Sequence, residues 1–211
     1  MKNTDLAETH REACRKDFWQ KIFQLEIEYL AEQLKGCRDV LSVGCGPAFI
    51  EGGLAKQGFN VTGLDVSQEA LNCASDKIRT VAARAEDMLF PANTFDAAIY
   101  VASLQFIKDY RKALEKSACA LRPNGRIVVM LLNPASAFFK EKSRDPNSYV
   151  SKIKHVDLEA IEKVIAGSFV VHAEYFLRAE GNEVHKNANE TEALLRIILG
   201  AKRDNTKEKG K

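Results

Sequence analysis

Apolar residues recur at steps of three and four in the N-terminal part of the chain, along residues 15–35. The first of them are Phe18, Ile22, Leu25 and Tyr29. This spacing predicts an amphipathic helix, because residues three and four apart share one face. Gly36 follows the pattern, at a position where helices commonly end. We expect residues 1–36 to form an N-terminal helical cap on a larger domain.

Short apolar runs rich in β-branched residues alternate with helical patterns between residues 38 and 132. The runs that predict strands are "DVLSVG", "NVTGLDV", "RTVAARA", "TFDAAIYVAS" and "GRIVVMLLN". The patterns that predict helices are "AFIEGGLAKQG", "SQEALNCASDKI" and "YRKALEKSACALR". Ser67 is the expected N-cap of the second helix. Strands that alternate with helices form right-handed crossovers, so we predict an α/β fold with a mostly parallel sheet and helices on both faces.

The alternation changes after the fifth predicted strand. Residues 134–155 are irregular and polar, which is typical of a long excursion over the edge of a sheet. A helix follows in "DLEAIEKVIAG" with Asp157 as its cap, and then two strands in "SFVVHAEYFLRAEG" and "ALLRIILGAKR". The stretch between these strands is too short for a helical crossover, so we pair them antiparallel. The whole pattern predicts a Rossmann-like, seven-stranded, mostly parallel sheet with an antiparallel C-terminal strand.

Composition limits the class of function. The 211 residues are 45% apolar and 28% charged, which is typical of one globular domain, placed at residues 1–203 with a disordered tail at 204–211. The net charge of +2 leaves no broad basic surface for nucleic acid. Five cysteines without C-x-x-C spacing favour reduced thiols in a cytoplasmic protein and no metal site. We find no signal peptide and no apolar run near the ~20 residues of a membrane helix.

A glycine loop follows the first predicted strand. Gly44 and Gly46 carry no Cβ and let a ligand approach the backbone. Asp65 ends the second strand, 21 residues after Gly44. Ligands of an open parallel sheet bind at the carboxyl ends of its strands, and an acid at this distance suits the two hydroxyls of a ribose. The loop therefore predicts a nucleoside cofactor, and Phe49 disfavours a dinucleotide because that position takes a third glycine in dinucleotide-binding loops.

Four motifs in order resemble those of the class I S-adenosylmethionine-dependent methyltransferases, in particular the type 11 group that includes enzymes of the ubiquinone and menaquinone type. They are "VLSVGCGPA", "VTGLDVSQEAL", "ARAEDMLFPANTFDAAIYVASLQFI" and "ALRPNGRIVVM". The resemblance covers about residues 38–132 and the final pair of strands. It implies S-adenosylmethionine as the cofactor and methyl transfer to an acceptor as the reaction.

The resemblance also implies a set of cofactor-binding residues. They are Gly44, Cys45, Gly46, Asp65, Val66, Ala85, Glu86, Tyr100 and Ala102. By analogy with the family, Asp65 holds the ribose hydroxyls and Val66 flanks the adenine. Ala85 and Glu86 lie at the adenine edge, and Tyr100 lies with Ala102 along the methionine end.

The chain departs from the family pattern at three positions. Ser42 stands where the first strand commonly carries Asp or Glu, which weakens one contact to the amino-acid end of the cofactor. Ala48 replaces a third loop glycine, and Arg84 stands where an Asp often precedes the adenine-edge pair. The N-P-P-Y motif of relatives that methylate amino groups in nucleic acids is absent.

The acceptor side is defined less sharply. Methyl transfer depends mainly on positioning, so no catalytic triad is required and none is seen. Candidates for acceptor contact are Tyr100, Gln105, Tyr149 and His155. Gln105 stands where many relatives place a His. A solvated loop histidine is favoured over a base as the interpretation of His155. Cys45 is interpreted as loop packing, and Trp19 as core or as a cap on the cleft.

Residues 134–155 combine aromatic residues with many charges. They are interpreted as an acceptor-side lid, with a plain surface loop as the alternative. The expected partner is a small-molecule methyl acceptor, with no nucleic acid or membrane, and the chain is expected to be a monomer or homodimer. Three alternatives stay open: a methyltransferase acting on protein or tRNA, a non-catalytic cofactor-binding module, and a nicotinamide-dependent reductase.

Overall fold

A computed structural model describes residues 17–181 and 183–203. Part of the predicted N-terminal cap, residues 1–16, and the predicted disordered tail, residues 204–211, lie outside the described residues. Within the described ranges, no helix is both long and apolar enough to cross a membrane.

Helices and strands alternate through the first two thirds of the described chain. The α-helices are α1 (Asp17–Gln33), α2 (Phe49–Lys56), α3 (Gln68–Leu71), α4 (Tyr110–Ala120), α5 (Ala137–Lys142) and α6 (Leu158–Ala166). The strands are β1 (Asp39–Val43), β2 (Asn60–Asp65), β3 (Arg79–Ala82), β4 (Phe95–Val101), β5 (Leu121–Leu132), β6 (Phe169–Glu180), β7 (Glu183–His185) and β8 (Ala193–Lys202). Short 3-10 helices occupy Ala85–Asp87, Leu104–Phe106 and Tyr149–Lys152.

Polar side chains fix several of the helix starts. The carboxylate of Asp157 accepts a hydrogen bond from the backbone N–H of Ala160 and begins α6, as the sequence predicts. Ser67 caps α3 in the same way through Ala70. The predicted helix over "SQEALNCASDKI" is nevertheless confined to four residues. Asn, Ser and Asp residues in its second half compete for backbone hydrogen bonds and favour turns over helix.

The sheet has the strand order β3-β2-β1-β4-β5-β8-β6-β7. The five strands β1 to β5 are parallel to one another, while β8 runs antiparallel between β5 and β6. The predicted α/β class, the parallel sheet and the antiparallel C-terminal pair are confirmed. The predicted count of seven strands is wrong, because β7 adds a short hairpin partner to β6 through the pairing of Ala179 with Val184.

Apolar residues cover both faces of the sheet. On one face, Leu30 and Leu54 of α1 and α2 pack on strand residues that include Ile99. On the other face, Leu114 and Ile161 of α4 and α6 form a second cluster. Full burial of a leucine side chain contributes about 1.5–3 kcal/mol. Since β1 lies between β2 and β4, the strand order reverses there, and the carboxyl ends of these strands meet at one edge.

Candidate active site

Two adjoining cavities lie at this edge of the sheet, with volumes of about 260 Å³ and 290 Å³. Gly44, at the end of β1, and Ala102, just past β4, line both of them. The smaller, called here the aromatic cavity, is lined by side chains of α1 and α2. The larger, called here the ribose cavity, contains Asp65. The two cavities together form one site in which two ligands could meet.

The loop after β1 requires glycine at position 44, both for its backbone conformation and for lack of space for a side chain. Gly44 has φ +75°, a conformation that L-residues with side chains rarely adopt. A Cβ added there would lie 2.6 Å from the Cβ of Ser103, whose hydroxyl donates to the carbonyl of Val43 at 2.6 Å. Ala102, opposite the loop, also has a positive φ of 46°. Backbone strain of this kind tends to gather at functional sites.

Asp65 is held rigidly at the end of β2. One carboxylate oxygen accepts the backbone N–H of Gly46 at 2.8 Å, and the other accepts that of Ser67 at 2.9 Å. Each carboxylate oxygen can accept a second hydrogen bond. The Asp65 side chain is therefore oriented in the ribose cavity with acceptor capacity left for two hydroxyl groups.

The rest of the ribose cavity includes the residues predicted at the adenine. Val66 is 72% exposed, Ala85 is buried, and Glu86 lies beside it. The Glu86 carboxylate pairs with Arg84 at 2.5 Å. Burial alone would raise the pKa of Glu86, but hydrogen bonds from its own backbone and from Arg84 lower it below the usual value. The Arg that departs from the family pattern therefore holds the acid of this pair ionised.

Aromatic rings from three helices form the other cavity. Phe23 of α1 stacks on Phe49 of α2 at a centroid distance of 5.8 Å. Trp19 meets Phe138 of α5 edge-on at 5.9 Å. Tyr149 also lines the cavity and stays a candidate for acceptor contact. Of the two interpretations of Trp19, as core or as a cap on the cleft, the structure places its ring on the cavity wall.

Two buried carboxyl groups line the same cavity, and the motif analysis missed both. Glu51 of α2 accepts a hydrogen bond from the hydroxyl of Ser42 at 2.5 Å, so an acid lies beside the position where family members commonly carry one. Burial raises the pKa of Glu51 to about 7, and the Ser42 hydrogen bond limits that rise. Burial, and then the charge of Glu51, raises the pKa of Glu26 in α1 to about 8.

Glu26 could have been found from its spacing. It lies four residues after Ile22 and four before Leu30, so it occupies the apolar face of the predicted helix. An acid at such a position must be buried, and a buried acid needs a partner or a proton. Glu51 gave a weaker signal, since α2 is only eight residues long.

Tyr100, predicted both as a cofactor-binding residue and as an acceptor contact, lies outside the described lining of both cavities. It is fully buried in the apolar cluster on the opposite face of the sheet, where its hydroxyl meets the hydroxyl of Ser117 at 2.7 Å. Successive strand residues point to opposite faces, so Val101 and not Tyr100 faces the cavity. Burial raises the pKa of Tyr100 and keeps it a neutral phenol.

Gln105 and His155, predicted as candidates for acceptor contact, form hydrogen bonds to the backbone instead. The buried Gln105 amide donates to the carbonyls of Leu132 and His155 at 3.1 and 3.2 Å, and it accepts the N–H of Leu132 at 2.7 Å. The His155 ring is bonded through Nε2 to the carbonyl of Ile107 at 2.9 Å. Neither side chain lines either cavity.

Residues 134–155 are more ordered than the irregular excursion that the sequence predicts. They contain α5 and the last 3-10 helix, and Ser136 caps α5 through the N–H of Phe139. Phe138 reaches the aromatic cavity, whereas Phe139 is buried in the core. Opening and closing of this segment as a lid stays a prediction.

Cys45 lies in the glycine loop and lines the aromatic cavity. Burial raises the pKa of its thiol, and the charges of Glu51 and Asp65 raise it further. A protonated thiol is a poor nucleophile, which is compatible with a packing role.

Comparison with known proteins finds that the chain is similar to methyltransferases. The family model described as a methyltransferase domain matches residues 41–129. A curated relative, the ubiquinone biosynthesis O-methyltransferase of Vibrio parahaemolyticus, is 26% identical over 170 residues, which cover 76% of this chain and 67% of that protein. The chain spans about half the length of several other curated relatives of that name.

Solved structures show the same fold. The crystal structure of a SAM-dependent methyltransferase from Archaeoglobus fulgidus matches with a TM-score of 0.74 at 18% identity, over 92% of this chain and 98% of that one. A SAM-dependent methyltransferase of Thermotoga maritima, described as a possible histamine N-methyltransferase, matches with a TM-score of 0.71 at 16% identity, over 93% of this chain and 97% of that one.

Proposed function

We propose that the chain is a class I S-adenosylmethionine-dependent methyltransferase and that it transfers the methyl group of that cofactor to a small molecule held in the aromatic cavity. The matches to a methyltransferase domain and to curated and solved methyltransferases support this proposal. The observation that carries the proposal is the meeting of two unlike cavities at Gly44 and Ala102. The ribose cavity is suited to a nucleoside and the aromatic cavity to an apolar acceptor. The methyl group would therefore be transferred at their junction.

The residues present fit the cofactor. Asp65 has two acceptor positions left for the ribose hydroxyls, beside the two backbone hydrogen bonds that orient it. Val66, Ala85 and Glu86 surround the space beyond it, where an adenine ring would lie. A Cβ at Gly44 would collide with Ser103, so this loop leaves its backbone open to a ligand. S-adenosylmethionine supplies an activated methyl group that needs no further activation by the protein.

The role of the protein is then to align the acceptor with the cofactor and to exclude water. The rings of Trp19, Phe23 and Phe138 enclose an apolar volume next to the junction. Holding two reactants in line can supply on the order of 7–11 kcal/mol. Gly44 and Ala102 are the natural candidates for contact with the reacting end of the cofactor, since they line both cavities.

The size and chemistry of the aromatic cavity favour a small acceptor. Its volume of about 260 Å³ holds a single-ring compound more readily than a folded protein segment or a tRNA. The names of the relatives agree with a small-molecule acceptor, since one relative acts in ubiquinone biosynthesis and another protein is described as a possible histamine N-methyltransferase.

Calorimetry tests the cofactor side of the proposal. We expect S-adenosylhomocysteine to bind with micromolar affinity and NAD to show no comparable binding, because Phe49 blocks the close packing that a dinucleotide loop needs. The control is adenosine, which should compete for the same site but bind more weakly. Tight binding of NAD with none of S-adenosylhomocysteine would contradict the proposal.

A further inference from the structure

The described part of the aromatic cavity wall carries acidic side chains and no basic ones. Among the described residues that line it, Glu26 and Glu51 are the charged side chains, and Lys, Arg and His are absent. The rest of the lining is apolar or aromatic apart from the loop backbone and Tyr149. When either carboxyl group ionises, the cavity repels anions and attracts cations.

Glu26 has no hydrogen-bond or ion-pair partner among the residues that the structure describes. Its side chain lines the cavity and the residue is only 5% exposed. No hydrogen bond or ion pair to its carboxyl group occurs anywhere in residues 17–181 and 183–203. An unpaired buried carboxyl group destabilises the fold, and Ile22 and Leu30 show that an apolar side chain fits on this face of α1. A polar group of this kind, aimed into a cavity, points to a ligand that satisfies it.

The electrostatics distinguish between classes of acceptor. A phenol must lose its proton to become a strong nucleophile, and a phenolate would be destabilised beside two carboxyl groups. An amine is attracted in its cationic form by the carboxylates and by the faces of the surrounding rings. During attack by nitrogen, positive charge moves from sulfur to nitrogen, and the remaining N–H groups become stronger hydrogen-bond donors. A carboxyl oxygen that accepts from them therefore stabilises the transition state more than the ground state.

We propose that the acceptor is a small arylalkyl amine, with its ring among Trp19, Phe23 and Phe138 and its basic nitrogen at Glu26. This inference rests on the proposed function, since it names the acceptor class of the same site. It also predicts N-methylation, whereas the curated relatives are O-methyltransferases by name.

The amine, Glu26 and the methyl group of the cofactor are sufficient for the reaction, with water as the final proton acceptor. A bound ammonium ion lowers the pKa of Glu26, so Glu26 releases its own proton to water when the amine binds in that form. The ammonium ion then gives one proton to the Glu26 carboxylate, which frees the nitrogen lone pair. Nitrogen then forms a bond to the methyl carbon, the S–C bond breaks, and its electron pair stays on the sulfur. The product is an N-methylammonium ion, and the proton on Glu26 passes to water. Because burial holds the pKa of Glu26 at about 8, proton transfer from an ammonium ion is less uphill than to an ordinary carboxylate.

Trp19 gives a direct readout. It is the single tryptophan of the chain, and its ring lines the cavity. We would titrate the protein, saturated with S-adenosylhomocysteine, with three probes of equal size: 2-phenylethylamine, 2-phenylethanol and phenylacetate. The expected result is that the amine binds at least about tenfold more tightly than the alcohol, with phenylacetate the weakest.

Variants of α1 then locate the effect. Glu26→Gln should weaken binding of 2-phenylethylamine by about tenfold or more and leave 2-phenylethanol within about twofold. The matched control is Glu28→Gln, because Glu28 is on the same helix but exposed and paired with Lys186. It should leave the affinities for all three probes unchanged.

The outcomes separate the two proposals. If S-adenosylhomocysteine does not bind, the proposed function fails. If it binds but the amine is not preferred, binds nowhere up to its solubility limit, or is unaffected by Glu26→Gln, the amine inference alone is overturned. The wild-type probe series decides the matter even if a variant does not fold.

Discussion

Asp65→Ala is expected to weaken binding of S-adenosylhomocysteine by more than tenfold while the domain stays folded. The carboxylate is oriented by the N–H groups of Gly46 and Ser67, and it keeps acceptor positions for two ribose hydroxyls. A hydrogen bond to a charged group contributes about 1.5–3 kcal/mol, so losing even one costs about tenfold or more in affinity. Calorimetry measures the dissociation constant, and circular dichroism checks the fold.

A second ligand separates the ribose contact from damage to the loop. S-adenosylhomocysteine without its two ribose hydroxyls should bind the wild type weakly and bind Asp65→Ala equally weakly, since the two changes remove one interaction. Asp65→Asn keeps an oxygen that can accept from Ser67 and should give an intermediate affinity. An unchanged dissociation constant in Asp65→Ala would show that the ribose is held elsewhere.

The stability of the protein is expected to fall as the pH rises from about 5.5 to about 8, because Glu26 and Glu51 keep their protons in the folded state. Their pKa values are raised from 4.5 to about 8 and about 7. Between 4.5 and about 8 the unfolded chain has released these protons and the folded chain has not, so raising the pH favours unfolding. Below 4.5 both states are protonated and the penalty disappears.

Glu26→Gln is expected to reduce this fall. A single group contributes up to about 1.4 kcal/mol per pH unit over its window, so the variant should lose about 1–3 kcal/mol less stability than the wild type between about pH 5.5 and about pH 8. Urea unfolding at both pH values measures the difference. The exposed Glu28→Gln variant should follow the wild type. Equal slopes in Glu26→Gln and wild type would mean that Glu26 is ionised in the folded protein.

The sequence predicts most of the sheet, because each long strand carries its own signal. The β-branched runs of β1 to β5 and the short link between β6 and β8 are sufficient for the α/β class and the antiparallel pair. The missed strand, β7, has three residues and no apolar alternation, so it exists only through its pairing with β6. The predicted helix over "SQEALNCASDKI" ends at Leu71, because local hydrogen bonding by the Asn, Ser and Asp residues that follow outweighs a weak apolar pattern.

The sequence predicts where a site residue lies when the course of the backbone determines its position. It does not predict which residues line a cavity when that depends on the direction in which a side chain points. Gly44 and Asp65 end adjacent parallel strands, so their meeting follows from topology. Tyr100 stands one residue from the cavity lining, yet strand alternation sends it to the opposite face. Glu26 lies far along the sequence from every motif, and only the packing of α1 over the sheet brings it to Glu51.

A crystal structure with S-adenosylhomocysteine tests the central claim most directly. We expect the ribose at Asp65 and the adenine between Val66 and Ala85. The sulfur should lie at the junction of Gly44 and Ala102 and face the aromatic rings and Glu26. A cofactor bound outside the ribose cavity, or a sulfur that faces away from the aromatic cavity, would contradict it.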